Sequence, residues 1–198
     1  MSSSRHAIGP ILARCRGIRR ALGTALLLAG CAGPVNEHVL VPAGSFGAGA
    51  QEPAAADLAA YVFADTARTA GQPAEAARAV AAIEYLAARL DDHSRTTAVP
   101  AAALPAGDRD DLLLARRRLR AALGIAPTAA SQTVVDGLLA AAAALSASDQ
   151  AGARTALPAP VFPPDIVERL SALPYIWQVN AAAKTIQNDL AQFGDAGR

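Results

Sequence analysis

Aromatic residues make up only 4% of this 198-residue chain, which contains one Trp, three Tyr and four Phe. Two histidines, His38 and His93, follow the first thirty residues, and no further ligands at metal-binding spacing lie near them. The sequence contains no Gly-x-Ser-x-Gly, no glycine-rich loop opening a helix and no His-Glu-x-x-His. We therefore predict no catalytic residues, no cofactor and no metal site, although carboxylates that only folding brings together stay open as an alternative.

Long apolar runs are also missing, and the residue that dominates the chain is alanine. After the first thirty residues, no run approaches 18 apolar residues without a charge, so we predict no membrane-spanning helix there. Alanine is the best helix former and offers little apolar area per residue. We expect close-packed helices with a core of scattered Leu, Ile and Val, and no large ligand cavity.

The first thirty residues carry five arginines and no acid, followed by an apolar stretch from Ala21 to Ala29. A basic start, a short apolar run and small residues at its end are the pattern of a bacterial export signal. Nine residues reach about half of a ~30 Å hydrocarbon core, so this stretch is too short to span a membrane. A short buried helix and a twin-arginine signal at Arg19-Arg20 are the alternatives.

The stretch Leu28-Ala29-Gly30-Cys31 resembles the lipobox of bacterial lipoproteins. The resemblance implies lipidation of Cys31 and recognition of Leu28, Ala29 and Gly30 by a type II signal peptidase, which cuts before the cysteine. Cys15 follows Arg14 without an apolar run, so it does not fit. Ala32 stands where an aspartate tends to retain such lipoproteins in the inner membrane, and its presence favours the outer membrane.

Removal of the signal would change the charge balance. Five of the 18 Lys and Arg and none of the 17 Asp and Glu lie in residues 1–30, so residues 31–198 carry a net charge of −4. An acidic domain gives no reason to expect nucleic-acid binding, which needs a basic surface. Cys31 would be the one remaining cysteine, which excludes an intramolecular disulfide.

The remainder is predicted to be all-α: an irregular bundle of about five to six helices with Pro- and Gly-rich connectors. Residues 1–30 form the signal peptide, 31–52 a lipidated flexible tether, and 53–198 a single helical domain. Within the tether, the apolar patch Val39-Leu40-Val41 is a candidate to dock on the domain in extended form.

Helical spacing of apolar residues predicts the individual elements. The first runs over 53–70, with a stripe of Ala54, Leu58, Tyr61, Val62 and Asp65, and the second over 73–90. Together they are weakly similar to a single tetratricopeptide hairpin, but no second copy follows. The connector 94–107 precedes a helix that Asp108 caps and Gly124 ends. Its buried stripe is predicted to comprise Leu112, Ala115, Leu119 and Leu123.

Four arginines, Arg116, Arg117, Arg118 and Arg120, fill the last turns of that helix. Three consecutive residues are spread over about 200° around the helix axis, so their side chains do not converge on one ligand. We interpret the cluster as a solvated helix end that the helix dipole favours. A patch for phosphate-bearing lipid headgroups or a cell-wall polymer is the alternative.

A central helix is predicted from Thr128 or Thr133 to Leu145, with Thr133 and Asp136 as a capping box and Gly137 allowing a close approach. The proline-rich segment 157–164 excludes a helix and is predicted to be a connector whose Val161 and Phe162 fill the core. A short helix over 165–173 follows.

The last helix begins at Pro174 and has the most regular amphipathic pattern in the chain. Its apolar stripe is predicted to comprise Ile176, Val179, Ala183, Ile186, Leu190 and Phe193. Trp177 lies one position off its apolar stripe, at the edge of the polar face. Trp177 and the neighbouring Tyr175 are our candidate partner contacts; a place at the rim of the core is the alternative.

These patterns predict a membrane-anchored, periplasm-facing lipoprotein with a structural or protein-interaction role in the bacterial cell envelope. Its predicted partners are the lipid bilayer, through acylated Cys31, and an envelope protein. The alternative is a small periplasmic enzyme or ligand-binding helical domain tethered by its lipid.

Overall fold

A computed structural model of the chain describes residues 39–91 and 105–196, with side chains for 39–89 and 105–192. All of these residues belong to one compact unit, Pro34–Arg198. The described part is all-α, as predicted, and contains no strand. Its helices are α1 (Gln51–Phe63), α2 (Pro73–Asp91), α3 (Ala106–Leu123), α4 (Ser131–Ser146), α5 (Gln150–Ala156), α6 (Ile166–Ser171) and α7 (Trp177–Ala196).

The centre of the fold is α2, which packs against α1, α3, α4 and α6. Every residue from Ala79 to Ala88 is buried, so this helix is covered on all sides. The small alanines let neighbouring helices approach closely, while Val80, Ile83 and Leu86 supply the apolar volume. Of the other helices, α7 packs on α1 and α3, and α4 packs on α2 and α5.

The first helix differs from its prediction at both ends. It begins at Gln51 and ends at Phe63, and a separate 3-10 turn follows at Thr66–Arg68. Asp65 starts this turn by accepting a hydrogen bond from the backbone N–H of Ala67. The predicted stripe is therefore wrong at Tyr61 and Asp65, which are exposed, because the alanines of α1 pack on α2 and α7 instead.

Two predicted N-terminal caps are wrong. Pro105 is the N-cap of α3, so Asp108 lies inside the helix, and Ala130 is the N-cap of α4, so Thr133 and Asp136 form no capping box. The predicted end of α3 is confirmed, since Gly124 adopts the left-handed conformation with φ 71°. Its predicted stripe is also confirmed, because all four residues are buried.

Between α4 and α6 the chain forms a helix that the sequence analysis missed, α5. Its N-cap Asp149 accepts a hydrogen bond from the Gly152 N–H at 2.8 Å. This cap stabilises the first turn of a short helix. The connector that follows places Phe162 in the core, as predicted. Phe162 contacts α4 at Gly137, where an added Cβ would lie 2.9 Å from its ring.

The last helix begins at Trp177, three residues later than predicted. Four predicted stripe residues, Val179, Ala183, Ile186 and Leu190, are buried, and Ile176 packs against the core. Along the described residues, no helix has the length and apolar character needed to cross a membrane.

Residues 39–46, which belong to the predicted tether, lie against the helices. Val39 and Phe46 are buried in the core, and the Phe46 ring lies 5.3 Å from the Tyr85 ring of α2. We call residues 39–46 the N-terminal segment. It docks at the patch Val39–Val41, as predicted, because two apolar side chains find sites on the helices. Residues 39–42 have no regular secondary structure, and the Ser45 N–H donates to the Pro42 carbonyl in a turn.

Candidate functional site

An open groove of about 540 Å³ lies between the N-terminal segment and α4. Pro42 and Ser45 form one wall, and small residues of α4 form the floor, among them Ala140 and Ala143. The expectation of no large cavity is wrong here, because the short alanine side chains leave space beside the docked segment.

The groove carries two charged side chains of opposite sign, Arg78 and Asp136. Arg78 lies 3.5 Å from Glu75 one turn earlier on α2, and Asp136 accepts a hydrogen bond from Gln132 at 2.8 Å. The groove is therefore mainly apolar with two charges, an arrangement suited to a small amphipathic molecule.

Gln132, on the first turn of α4, fixes the N-terminal segment at one edge of this groove. Its side-chain oxygen accepts from the Leu40 N–H at 2.8 Å, and its amide nitrogen donates to the Leu40 carbonyl at 2.9 Å. This pair satisfies both backbone groups of Leu40, as a neighbouring strand would. The Leu40 side chain points outward and is 73% exposed.

An ion pair between Glu84 of α2 and Arg120 of α3 is buried at the centre of the molecule. Arg120 Nε and Nη2 donate to the two carboxylate oxygens of Glu84 at 2.6 and 2.8 Å. Arg120 Nη1 also donates to the carbonyls of Ala126, Pro127 and Ala129 in the loop before α4. Because the guanidinium of Arg120 is buried and already donates to these groups, it is not exposed to bind a ligand.

This geometry corrects the interpretation of the arginine cluster as a solvated helix end. Arg117 and Arg118 are exposed, as that interpretation requires, but Arg120 is buried. Arg116 is half-buried and donates to Ser131 at 3.3 Å. The four arginines thus serve different purposes, and the described contacts form no shared anion site.

A second polar cluster joins α1 to α2. The Glu52 carboxylate accepts from the Tyr85 hydroxyl at 3.2 Å and from Arg89 Nη2 at 3.2 Å. Burial and the adjacent Glu52 charge raise the pKa of Tyr85 to about 12. The cluster holds the N-terminus of α1 on α2 beside the buried Phe46 ring.

Folding brings together one pair of carboxyl groups, Asp108 of α3 and Asp189 of α7. Burial, and then the neighbouring Asp108 charge, raise the pKa of Asp189. This is the kind of convergence that an enzyme would need, but neither residue lines the 540 Å³ groove. Among the described residues, no group of three or more His, Cys, Asp and Glu is placed to hold a metal ion.

Exposed aromatic side chains concentrate on α1 and at the start of α7. Trp177 is 64% exposed and Tyr175 is 55% exposed, and the Tyr175 hydroxyl accepts from Asn180 at 3.0 Å. Trp177 borders a shallow 100 Å³ depression with Asp111 and Leu114 of α3. Tyr61, the third exposed aromatic residue, stacks under the Arg68 guanidinium 3.8 Å from the ring centroid.

The other predicted site residues lie outside the described part of the chain. These are Cys31 with its neighbours Leu28, Ala29 and Gly30, together with His38 and His93. The structure therefore describes the surroundings of Trp177 and Tyr175 but not those of Cys31.

Three important polar residues were missed from the sequence: Glu84, Arg120 and Gln132. For Glu84 a signal existed, because the run Ala79–Ala88 has apolar residues, mostly alanine, on every face of the helix, which indicates burial on all sides. A lone acid in such a helix needs a buried partner. Nothing in the sequence singles out Arg120 among four arginines, or pairs Gln132 with Leu40 across 92 residues.

A comparison of the chain with protein-family models, curated proteins and solved structures finds no match to any of them.

Proposed function

We propose that this protein is a lipid-anchored component of the bacterial cell envelope, facing the periplasm, with a structural or protein-interaction role. The observation that carries the proposal is Leu28-Ala29-Gly30-Cys31, placed directly behind a short apolar run in a segment with five arginines and no acid. Acyl chains on Cys31 would supply the membrane affinity, since each buried methylene contributes about 0.8 kcal/mol.

The interaction role draws support from the surface around Trp177. Tryptophan and tyrosine are the residues most enriched at the energetic centres of protein interfaces. Most of the other described aromatic side chains are buried, so the exposure of Trp177 and Tyr175 is not explained by a shortage of core space. Asp111 and Asn180 supply polar neighbours of the kind found at an interface rim.

Cell fractionation tests the anchor. Wild-type protein is expected in the membrane fraction, and Cys31→Ser should be found in the soluble fraction or retained as uncleaved precursor. Cys15→Ser is the matched control, because it removes the other thiol and should leave processing and sorting unchanged. Equal behaviour of the two cysteine variants would contradict the proposal.

Ala32→Asp tests the outer-membrane assignment, because this variant should move the protein to the inner membrane.

Cross-linking in intact envelopes tests the interaction role. A cross-linked species that is present in wild type should disappear in Trp177→Ala and persist in Tyr61→Ala, which removes an exposed aromatic side chain from another helix. A species that survives Trp177→Ala unchanged would show that this surface is not the contact.

The 540 Å³ groove favours a second candidate function, the binding of a small amphipathic ligand. Its volume lies within the range of about 300–1,000 Å³ that is typical of ligand sites. Ala140→Trp should fill the groove from its exposed floor and abolish binding of the apolar probe N-phenylnaphthylamine. Wild-type protein that fails to enhance probe fluorescence would exclude this candidate.

A further inference from the structure

The groove between the N-terminal segment and α4 combines an apolar floor with a carboxylate at one end. Four of its lining residues follow one another at helical spacing along α4: Asp136, Leu139, Ala140 and Ala143. Asp136 and Ala143 are seven residues apart, so this stripe is about 10 Å long. A ligand that covers the stripe therefore needs an apolar body and one polar end.

The hydroxyl groups that line the groove are available as hydrogen-bond acceptors. Ser45 Oγ donates its hydrogen to the Pro42 carbonyl at 2.8 Å, and Ser146 Oγ donates to the Ala142 carbonyl at 2.8 Å. Each hydroxyl oxygen keeps lone pairs, but its hydrogen is already used. Together with the Asp136 carboxylate, these oxygens favour a ligand whose polar end donates hydrogen bonds.

The two charged side chains of the groove differ in how far they are neutralised. Arg78 lies 3.5 Å from the Glu75 carboxylate. Among the contacts of the described residues, Asp136 has no ion pair and accepts from the neutral Gln132 amide at 2.8 Å. The same Gln132 nitrogen donates to the Leu40 carbonyl at 2.9 Å, so one side chain positions both the carboxylate and the N-terminal segment. The charge left for a ligand is therefore negative and held in place before binding, which favours a cation.

We propose that the ligand of the groove is a small amphipathic primary amine, with its ammonium group on Asp136 and its apolar body on the alanine-rich floor. The proposal rests on the groove being a ligand site, the second candidate function. The net negative charge of residues 31–198 adds a long-range attraction for cations. An anion on Arg78 is the competing arrangement, and it would have to replace the contact with Glu75.

Competition against N-phenylnaphthylamine tests this preference. The protein is the full chain with Cys31→Ser, which removes the thiol that would carry acyl chains, and only the fluorescence that Ala140→Trp abolishes is assigned to the groove. Octylamine, octanol and octanoate share one chain length and differ in charge. At low salt, octylamine should displace the probe at about two- to fivefold lower concentration than octanol, the effect of an ion pair at an exposed site. Octanoate should be the weakest competitor.

Asp136→Asn removes the charge and keeps the shape of the side chain, so octylamine and octanol should then displace the probe at similar concentrations. Asp110→Asn is the matched control, because it removes one exposed carboxylate from α3, outside the groove, and should keep the preference for octylamine. High salt should also reduce this preference in the protein with Asp136 in place, because it screens exposed charges. Circular dichroism checks that the variants are folded.

The outcomes separate the ligand class from the groove itself. Protein that does not bind N-phenylnaphthylamine would exclude the groove as a ligand site, and the amine would fall with it. A bound probe that octylamine and octanol displace equally, or that octanoate displaces best, would overturn the amine alone. A preference for octylamine that survives Asp136→Asn would also overturn it, because the ammonium group would then bind elsewhere.

Discussion

Glu84 and Arg120 form a two-point ion pair at the centre of the helical unit, with Glu84 only 1% exposed. The pair joins α2 to α3, and the same guanidinium binds three carbonyls of the loop that leads to α4. A single side chain thus connects three elements around the central helix.

Removal of Arg120 is expected to lower the free energy of unfolding by about 3–5 kcal/mol, because Arg120→Ala leaves Glu84 as a buried charge without its partner. Urea unfolding monitored by circular dichroism measures the change. Arg118→Ala, at an exposed position on the same helix, should stay within about 0.5 kcal/mol of wild type. The double variant Glu84→Leu/Arg120→Met should recover much of the loss. A similar, small effect of both single variants would refute the structural role of the pair.

Gln132→Ala should release the N-terminal segment at Leu40. Loss of two hydrogen bonds to backbone groups is expected to cost about 1–2 kcal/mol and to speed exchange of the Leu40 amide hydrogen. Hydrogen exchange followed by mass spectrometry reads this directly. Thr133→Ala, at the adjacent exposed position, is the control and should leave the exchange at Leu40 unchanged. Identical exchange in the two variants would mean that Gln132 does not hold the segment.

Gly137→Ala should destabilise the protein by about 1–3 kcal/mol, because the new methyl group would lie 2.9 Å from the Phe162 ring and 3.0 Å from the Ala156 carbonyl oxygen. Gly107→Ala in α3 is a matched control with nothing within 4 Å of the added carbon. Since alanine is the better helix former, that control should be neutral or stabilising by up to about 1 kcal/mol. Thermal unfolding compares the two, and equal shifts would argue against the close contact.

Tyr85 should ionise with a pKa of about 12 in the folded protein. In a Tyr61→Phe/Tyr175→Phe background it is the remaining tyrosine, so phenolate absorbance reports on it alone. Because the pKa of the folded state exceeds the ordinary value of 10.0, its contribution to stability is present below pH 10 and is lost as the pH rises towards 12. Adding Glu52→Gln removes a charge that raises this pKa, so the midpoint should move down. A midpoint near 10 with Glu52 in place would contradict the buried cluster.

The periodicity of apolar residues predicted much of this fold. The buried stripes of α3 and α7, and the end of α3 at Gly124, follow from residue spacing and from the backbone freedom of glycine, which are local properties. The core position of Phe162 followed from prolines that prevent a helix around it.

Features that depend on residues far apart in sequence could not be predicted in this way. The N-terminal segment contains Gly, Pro and Ser and has no period, so its docking depends on sites for Val39 and Phe46 that exist only in the assembled bundle. The burial of Arg120 depends on Glu84, 36 residues earlier. The exposure of Tyr61 could not be predicted either, because α1 is rich in alanine and more than one of its faces could pack against a neighbouring helix.

The same distinction between local patterns and long-range contacts applies to the candidate site. Trp177 and Tyr175 were predicted as partner contacts from their place beside an apolar stripe. Both side chains are exposed, and their role as contacts stays a prediction. The groove beside α4 was missed, because it is formed by a segment that has no regular pattern of its own.

The most direct test of the account is the intact mass of the protein extracted from membranes. The expected species begins at Cys31 and carries the added mass of acyl chains on that residue, in wild type and in Cys15→Ser alike. Membrane-bound protein that retains residues 1–30, or that begins elsewhere with an unmodified Cys31 thiol, would contradict the proposed anchor.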